Sequence, residues 1–167
     1  RKLLVTDIQM YSGHSTIPHG NYMIELMAKY SGAFEATFSN DQNLLKYPKI
    51  KEFDAVFFNN VCGMVHNDPE VREGILRFVR EGGGLGGNHA VTYANLNWPE
   101  FADMMGGWAG QHRVEEHVLK IDDPANPCVD VDVYTHVRRH LAGWTVYQEV
   151  KGMKVPGSHG QYPLDRC

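Results

Sequence analysis

The chain has no basic run, few cysteines and no long apolar stretch, and each lack removes a class of function. Its formal net charge is −4, and its 16 lysines and arginines are scattered rather than clustered. That leaves no electrostatic footprint for nucleic acid or for an anionic membrane surface. Apolar runs are broken by Asp, Asn or Gly within about eight residues, well short of the roughly twenty that a membrane helix needs. Cys62, Cys128 and Cys167 are odd in number and lack CxxC or zinc spacing, so they read as free thiols rather than as a disulfide framework. The chain opens at Arg1 directly on a strand, so any leader is cleaved or lies outside the numbering, and the compartment, cytoplasmic or periplasmic, stays open.

What is present fits one globular domain spanning 1–167, since 167 residues at 43 % hydrophobic and 22 % charged can bury a sizeable core. Histidine is in excess, with nine residues at 14, 19, 66, 89, 112, 117, 136, 140 and 159. Such an excess signals acid–base chemistry, metal ligation or nothing, and placement must decide.

Residues 78–93 organise the rest. A helix end runs into Gly82, Gly83 and Gly84, then a short strand with Gly86 and Gly87, and then Asn88 and His89. Glycine tolerates positive φ and close backbone approach, so Gly86 and Gly87 are expected to permit a sharp strand-to-helix elbow with His89 at its tip. The competing reading is a helix C-cap followed by tight strand packing, with His89 a hydrogen-bonded loop residue.

Upstream, residues 2–8 suit a buried strand, and a turn-rich loop with His14 and His19 follows. Pro18 fits the first turn of a helix capped by Ser15 or Thr16, running over about residues 21–30 and stopped by Gly32. Residues 34–38 alternate as a strand, 43–47 form a short crossover, and 53–60 are almost continuously apolar before ending in Asn59 and Asn60. Those two amides can orient a polar ligand or cap the next turn. Asp68 and Pro69 open a second helix carrying Val71, Ile75, Leu76 and Val79 toward Gly82. Residues 98–105 form a short helix with Phe101 and Met105 turned to the core, and 114–121 alternate as an edge strand. His112 precedes that strand and can fold back over the site, whereas His117 within it reads as structural or solvent-facing. Alternating strands and helices predict right-handed βαβ units with a parallel sheet between helices. His14, Asn59, Asn60 and His89 then follow three strands at the edge where such sheets bind ligands, and should converge.

Residues 1–127 resemble the ThuA-like (trehalose utilisation) family of the class I glutamine amidotransferase-like superfamily. The resemblance rests on residues 14–18, 53–60, 78–90, 98–101, 105–107 and 118–127, the last with Asp-Asp-Pro-Ala-Asn-Pro. It implies an α/β fold, a flavodoxin-like three-layer α/β/α sandwich with a mainly parallel sheet. Amidotransferases of this superfamily carry a nucleophilic cysteine at the elbow tip, where ThuA-like proteins, and this chain at His89, have histidine. Glutamine hydrolysis is therefore not expected, since Cys62 lies in another loop without a matched base. The family implies a role in sugar catabolism.

Residues 128–167 depart from the family's ending. Residues 129–135 and 144–148 are strand candidates, Arg138, Arg139 and His140 between them read as a solvated turn, with a hold on a sugar acid or a phosphate as the alternative, and 156–167 read as loop whose abrupt stop suggests a truncated chain.

Two readings stay open. In the first, an enzyme acts on a carbohydrate or its oxidised derivative with His89 as general acid or base, His14 and His112 assisting. Asn59, Asn60 and Asn88 then hold substrate, and Trp108 or Tyr93 offers an apolar face. A variant holds a divalent metal between His14, His89 and His112, although no i,i+4 histidine pair or HExxH argues for it. The second reading is a non-catalytic module binding a sugar or protein partner; self-association stays open in both.

Overall fold

A computed structural model describes residues 1–11 and 13–110, and the backbone of 136–140 and 143–147. The chain divides into two units, Arg1–Gln111 and His112–Cys167. In the first, strands β1 (Lys2–Thr6), β2 (Glu35–Phe38), β3 (Ala55–Asn59) and β4 (Gly84–Asn88) form a parallel sheet in the order β2-β1-β3-β4. That order is the flavodoxin-like one, whose switch point lies between β1 and β3.

The connecting helices are α1 (Ile17–Ser31), α2 (Pro69–Arg80) and α3 (Pro99–Met105). Each has proline in its first turn, where a missing N–H costs nothing. Asp68 caps α2, its carboxylate accepting the Glu70 N–H at 2.9 Å. Thr16 occupies the N-cap of α1 without a side-chain bond to the helix, so the capping expected of it is not made. Gly32 and Gly106 end α1 and α3 in the left-handed conformation that suits a residue without Cβ.

Successive strand residues point to opposite faces, and the two faces are filled unequally. Leu4 of β1 with Val56 and Phe58 of β3 face α2 and α3, where they join Leu45, Ile50, Val71, Ile75, Phe78, Val91, Trp98 and Phe101 in one buried cluster. Phe101 packs on Phe58 and Trp98 with ring centroids 5.7 and 5.4 Å apart. On the other face α1 buries none of its residues completely, and Tyr22, Met27 and Tyr30 stay exposed. The sandwich is three-layered, but its apolar weight sits on the α2 side.

In the second unit, β5 (His136–His140) and β6 (Gly143–Tyr147) pair antiparallel, Arg138 opposite Thr145 and Arg139 opposite Trp144. Arg138, Arg139 and His140, expected as a turn, are therefore strand. Cross-strand pairing satisfies their backbone groups regardless of their charge, and a run of charges marks a strand edge as readily as a turn. The strands expected over 114–121 and 129–135, and His117, lie outside the described residues.

The uneven core predicts uneven mutational costs. Ile75→Ala should destabilise the fold by about 2–5 kcal/mol, whereas Leu26→Ala on half-buried α1 should cost about 1 kcal/mol or less, as read from urea unfolding midpoints. Equal losses would contradict the asymmetry.

Candidate functional site

The register of β3 and β4 sets the site, because Asn59 pairs with Asn88 and the next residues, Asn60 and His89, leave the sheet side by side. Both adopt the left-handed region, with φ of 57° and 50°. Asparagine enters that region readily; histidine does so less often, and such outliers gather at functional sites. The elbow thus differs from expectation: Gly86 and Gly87 are not left-handed, and the strained residue is His89 itself. Gly87 serves close approach instead, since a Cβ there would fall 2.9 Å from both the Phe58 carbonyl oxygen and the Val91 side chain. A Cβ on Gly86 would make only ordinary contact.

His89 Nδ1 lies 2.7 Å from Asn60 Oδ1, and its ring meets that of His14 edge-on at 4.7 Å between centroids. His14 comes from the loop after β1, which turns into α1 through a bond from the Ile17 N–H to the His14 carbonyl. Two imidazole rings from separate loops therefore touch over the carboxyl edge of the sheet, His89 exposed and His14 half-buried. His19 is exposed in the first turn of α1, and His112 lies outside the described residues.

Two of the asparagines expected to hold substrate, Asn59 and Asn60, are committed to the protein. Asn59 and Asn60 are buried, at 0 % and 4 % exposure. Asn59 Nδ2 donates to the Ile17 carbonyl at 3.0 Å and to Asn21 Oδ1 at 2.8 Å; Asn60 Nδ2 donates to Asn59 Oδ1 at 3.0 Å. Asn88, at the exposed end of β4, accepts the Asn60 N–H at 2.8 Å and donates to Asn59 Oδ1 at 3.3 Å. Gln9 Nε2 donates to the Asn60 carbonyl. Beyond Asn21 stands Asp7, which follows β1 and accepts from Asn21 Nδ2 at 2.7 Å and Asn40 Nδ2 at 2.6 Å. Sequence reading missed Asp7, Gln9 and Asn21. The available signal was Gly20, a glycine inside a helix, which needs a reason to be there.

Exposed apolar side chains stand in the loops that follow the strands. Met10 and Tyr11 follow β1, Met64 follows β3, and Tyr93 and Leu96 follow β4. Bridges between Gln9 and Cys62 and between Gly63 and Ala94 lay these loops side by side. Trp108, also exposed, is tethered nearby by the bond from the Ala109 N–H to the Thr92 carbonyl. A hollow beside α3 is lined by Pro99, Ala102, Asp103, Gly106, Gly107 and Trp108, and another by Lys46, Tyr47, Pro69, Glu70, Glu73 and Gly74. His14 and His89 line neither of these hollows. Among the described residues no group of three or more His, Cys, Asp or Glu is placed to hold a metal ion.

The model of the family described as ThuA, trehalose utilisation, matches residues 2–151. The chain belongs to the ThuA family. Among solved structures it is similar to a protein described as ThuA-like from Bacteroides uniformis ATCC 8492, at 20 % identity and a TM-score of 0.48, over 61 % of this chain and 42 % of that one. The chain thus spans less than half the length of that ThuA-like relative. No curated protein matches it.

His66 has a different role from the rim histidines. It is fully buried, with Phe58 and Phe101 beside it at 5.3 and 6.3 Å. Asn95 accepts the His66 backbone N–H at 3.0 Å and so turns its NH2 toward Nδ1 at 2.8 Å, which leaves the ring hydrogen on Nε2 without a hydrogen-bond partner among the described residues. Burial, reinforced by the Arg72 cation and opposed by the Asn95 bond, lowers its pKa from 6.5 to about 4. Between those values the unfolded chain binds a proton that the folded chain refuses. Stability is therefore whole above about pH 6.5 and drains away as pH falls toward 4, by on the order of 3 kcal/mol. Urea midpoints across this window should fall steeply for the wild type and more gently for His66→Gln; identical slopes would reject the assignment.

Proposed function

We propose that this ThuA-family protein is an enzyme acting on a carbohydrate or an oxidised carbohydrate, with His89 as general acid or base and His14 as its neighbour in proton exchange. One observation carries the reading: His89 is held in a left-handed conformation at the tip of an elbow, in ring contact with His14, at the carboxyl edge of a parallel sheet. Imidazole exchanges protons near neutral pH, and an exposed position after the strand ends gives substrate a way to reach it.

The surrounding loops suit a sugar. A pyranose offers hydroxyls at its rim and an apolar C–H face, and Tyr93 and Trp108 are exposed aromatic surfaces for that face. Asn88, at the exposed end of β4, is the asparagine best placed to meet a hydroxyl. No cysteine stands at the elbow tip, so a thiolate route like that of glutamine amidotransferases has no nucleophile there. Trehalose utilisation, the family's description, makes a glucoside or its oxidised form the first substrate to try.

The test is turnover of trehalose, simple glucosides and their keto derivatives by the wild type and by His89→Ala. The expected result is a loss of about 10²–10⁴-fold in kcat for the variant, with sugar-dependent thermal stabilisation retained. Binding without turnover in the wild type would favour a non-catalytic sugar-binding module, and no shift with any sugar would reject both.

A further inference from the structure

The hydrogen bonds behind His89 decide where its ring proton sits. Each bond is fixed by a group that can play only one role. The Ile17 carbonyl only accepts, so the part of Asn59 that faces it at 3.0 Å is the NH2, and Asn59 Oδ1 is turned to Asn60. The Asn60 backbone N–H only donates, so Asn88 presents Oδ1 to it at 2.8 Å and its NH2 to Asn59 Oδ1 at 3.3 Å. A carboxylate at Asp7 only accepts, so Asn21 gives it the NH2 at 2.7 Å and offers Oδ1 to Asn59 Nδ2 at 2.8 Å. Anchors after β1, in α1 and after β3 thus dictate one arrangement. Asn60 must give its NH2 to Asn59 Oδ1, leaving Oδ1 for His89 Nδ1 at 2.7 Å. An oxygen without a hydrogen sustains that contact only if Nδ1 carries the proton.

We infer that Asp7, Asn21, Asn59 and Asn60 are positioning residues, a one-way relay of hydrogen bonds from imidazole to carboxylate that holds His89 as its Nδ1–H tautomer. The basic nitrogen of neutral His89 is then Nε2. Every bond points toward Asp7, so each amide polarises the next, and a cation forming on His89 is stabilised in the same direction. The relay does the work of a carboxylate bonded directly to a catalytic histidine, which fixes the ring's tautomer and orientation, but across the gap from β1 to β4. Gly20 makes room for it: a Cβ there would lie 2.7–3.0 Å from three atoms of the Asn59 amide.

Its functional meaning rests on the proposed proton-transfer role of His89, but its test does not. The measurement is long-range ¹⁵N–¹H correlation spectroscopy of the ¹⁵N-histidine-labelled full chain above pH 7, with the His89 signals assigned by their loss in His89→Gln. A protonated, pyrrole-type Nδ1 and a pyridine-type Nε2 are expected. Asn60→Gly suits the left-handed backbone at residue 60 while removing the acceptor. Gly20→Ala improves helix propensity while displacing Asn59. Both should give a mixture of tautomers, whereas Asn60→Asp, which keeps an acceptor facing Nδ1, should preserve the wild-type form. A wild-type ring protonated at Nε2, or a tautomer unmoved in both Asn60→Gly and Gly20→Ala, overturns the relay. Where a sugar is turned over, Asn60→Gly should lower kcat by roughly 10–10³-fold with KM little changed, and Asn60→Asp should recover most of it. The expected tautomer without any turnover upholds the relay and removes the enzymatic reading; turnover with the opposite tautomer does the reverse.

Discussion

The in-register pairing of Asn59 with Asn88 is the constraint on which the site depends. Because the two strands end at the same level, the residues after them leave the sheet together and can bond to one another. Asn60 and His89 are both left-handed, and the short bond between their side chains ties the two strand ends together. A slip of one residue between the strands would turn one of the two side chains to the opposite face and separate them. Strain at His89 of order 1 kcal/mol is tolerable only because its neighbours over-determine the geometry.

The two faces of the sheet divide the labour. On the α2 side, Phe58, Ile75 and Phe101 build the apolar cluster that stabilises the sheet. On the α1 side, Asn59 reaches up to the Ile17 carbonyl and Asn21, so polar bonds occupy space that aliphatic chains would fill in a conventional layer. A buried amide is costly unless its bonds are made, and here they are made. Shallow burial of α1 is consistent with a layer that orients a working group rather than one that supplies most of the stability.

Much of the fold was legible from local signals. Proline and aspartate at the start of α2, Gly32 and Gly106 after α1 and α3, and the apolar run ending at Asn59 each act through their own backbone, so neighbours in sequence reveal them. Arg138–His140 shows where such signals fail, because charge marks a turn and a strand edge alike and only the partner strand separates them. The same limit applied to the elbow. Glycines at 86 and 87 pointed to a sharp reversal, but their conformation depends on what packs against them, and the left-handed residue proved to be the histidine.

Sequence alone determined that the chain alternates strand and helix, that His14, Asn59, Asn60 and His89 follow strand ends, and that a histidine rather than a cysteine stands at the elbow. These are properties of order along the chain, set by local backbone preference and by period. Tertiary structure decided which of those groups touch, which amides are spent on the protein, and that Asp7 connects to a histidine more than eighty positions away through three asparagines. Hydrogen-bond direction exists only between groups in space, and no spacing in a sequence records it.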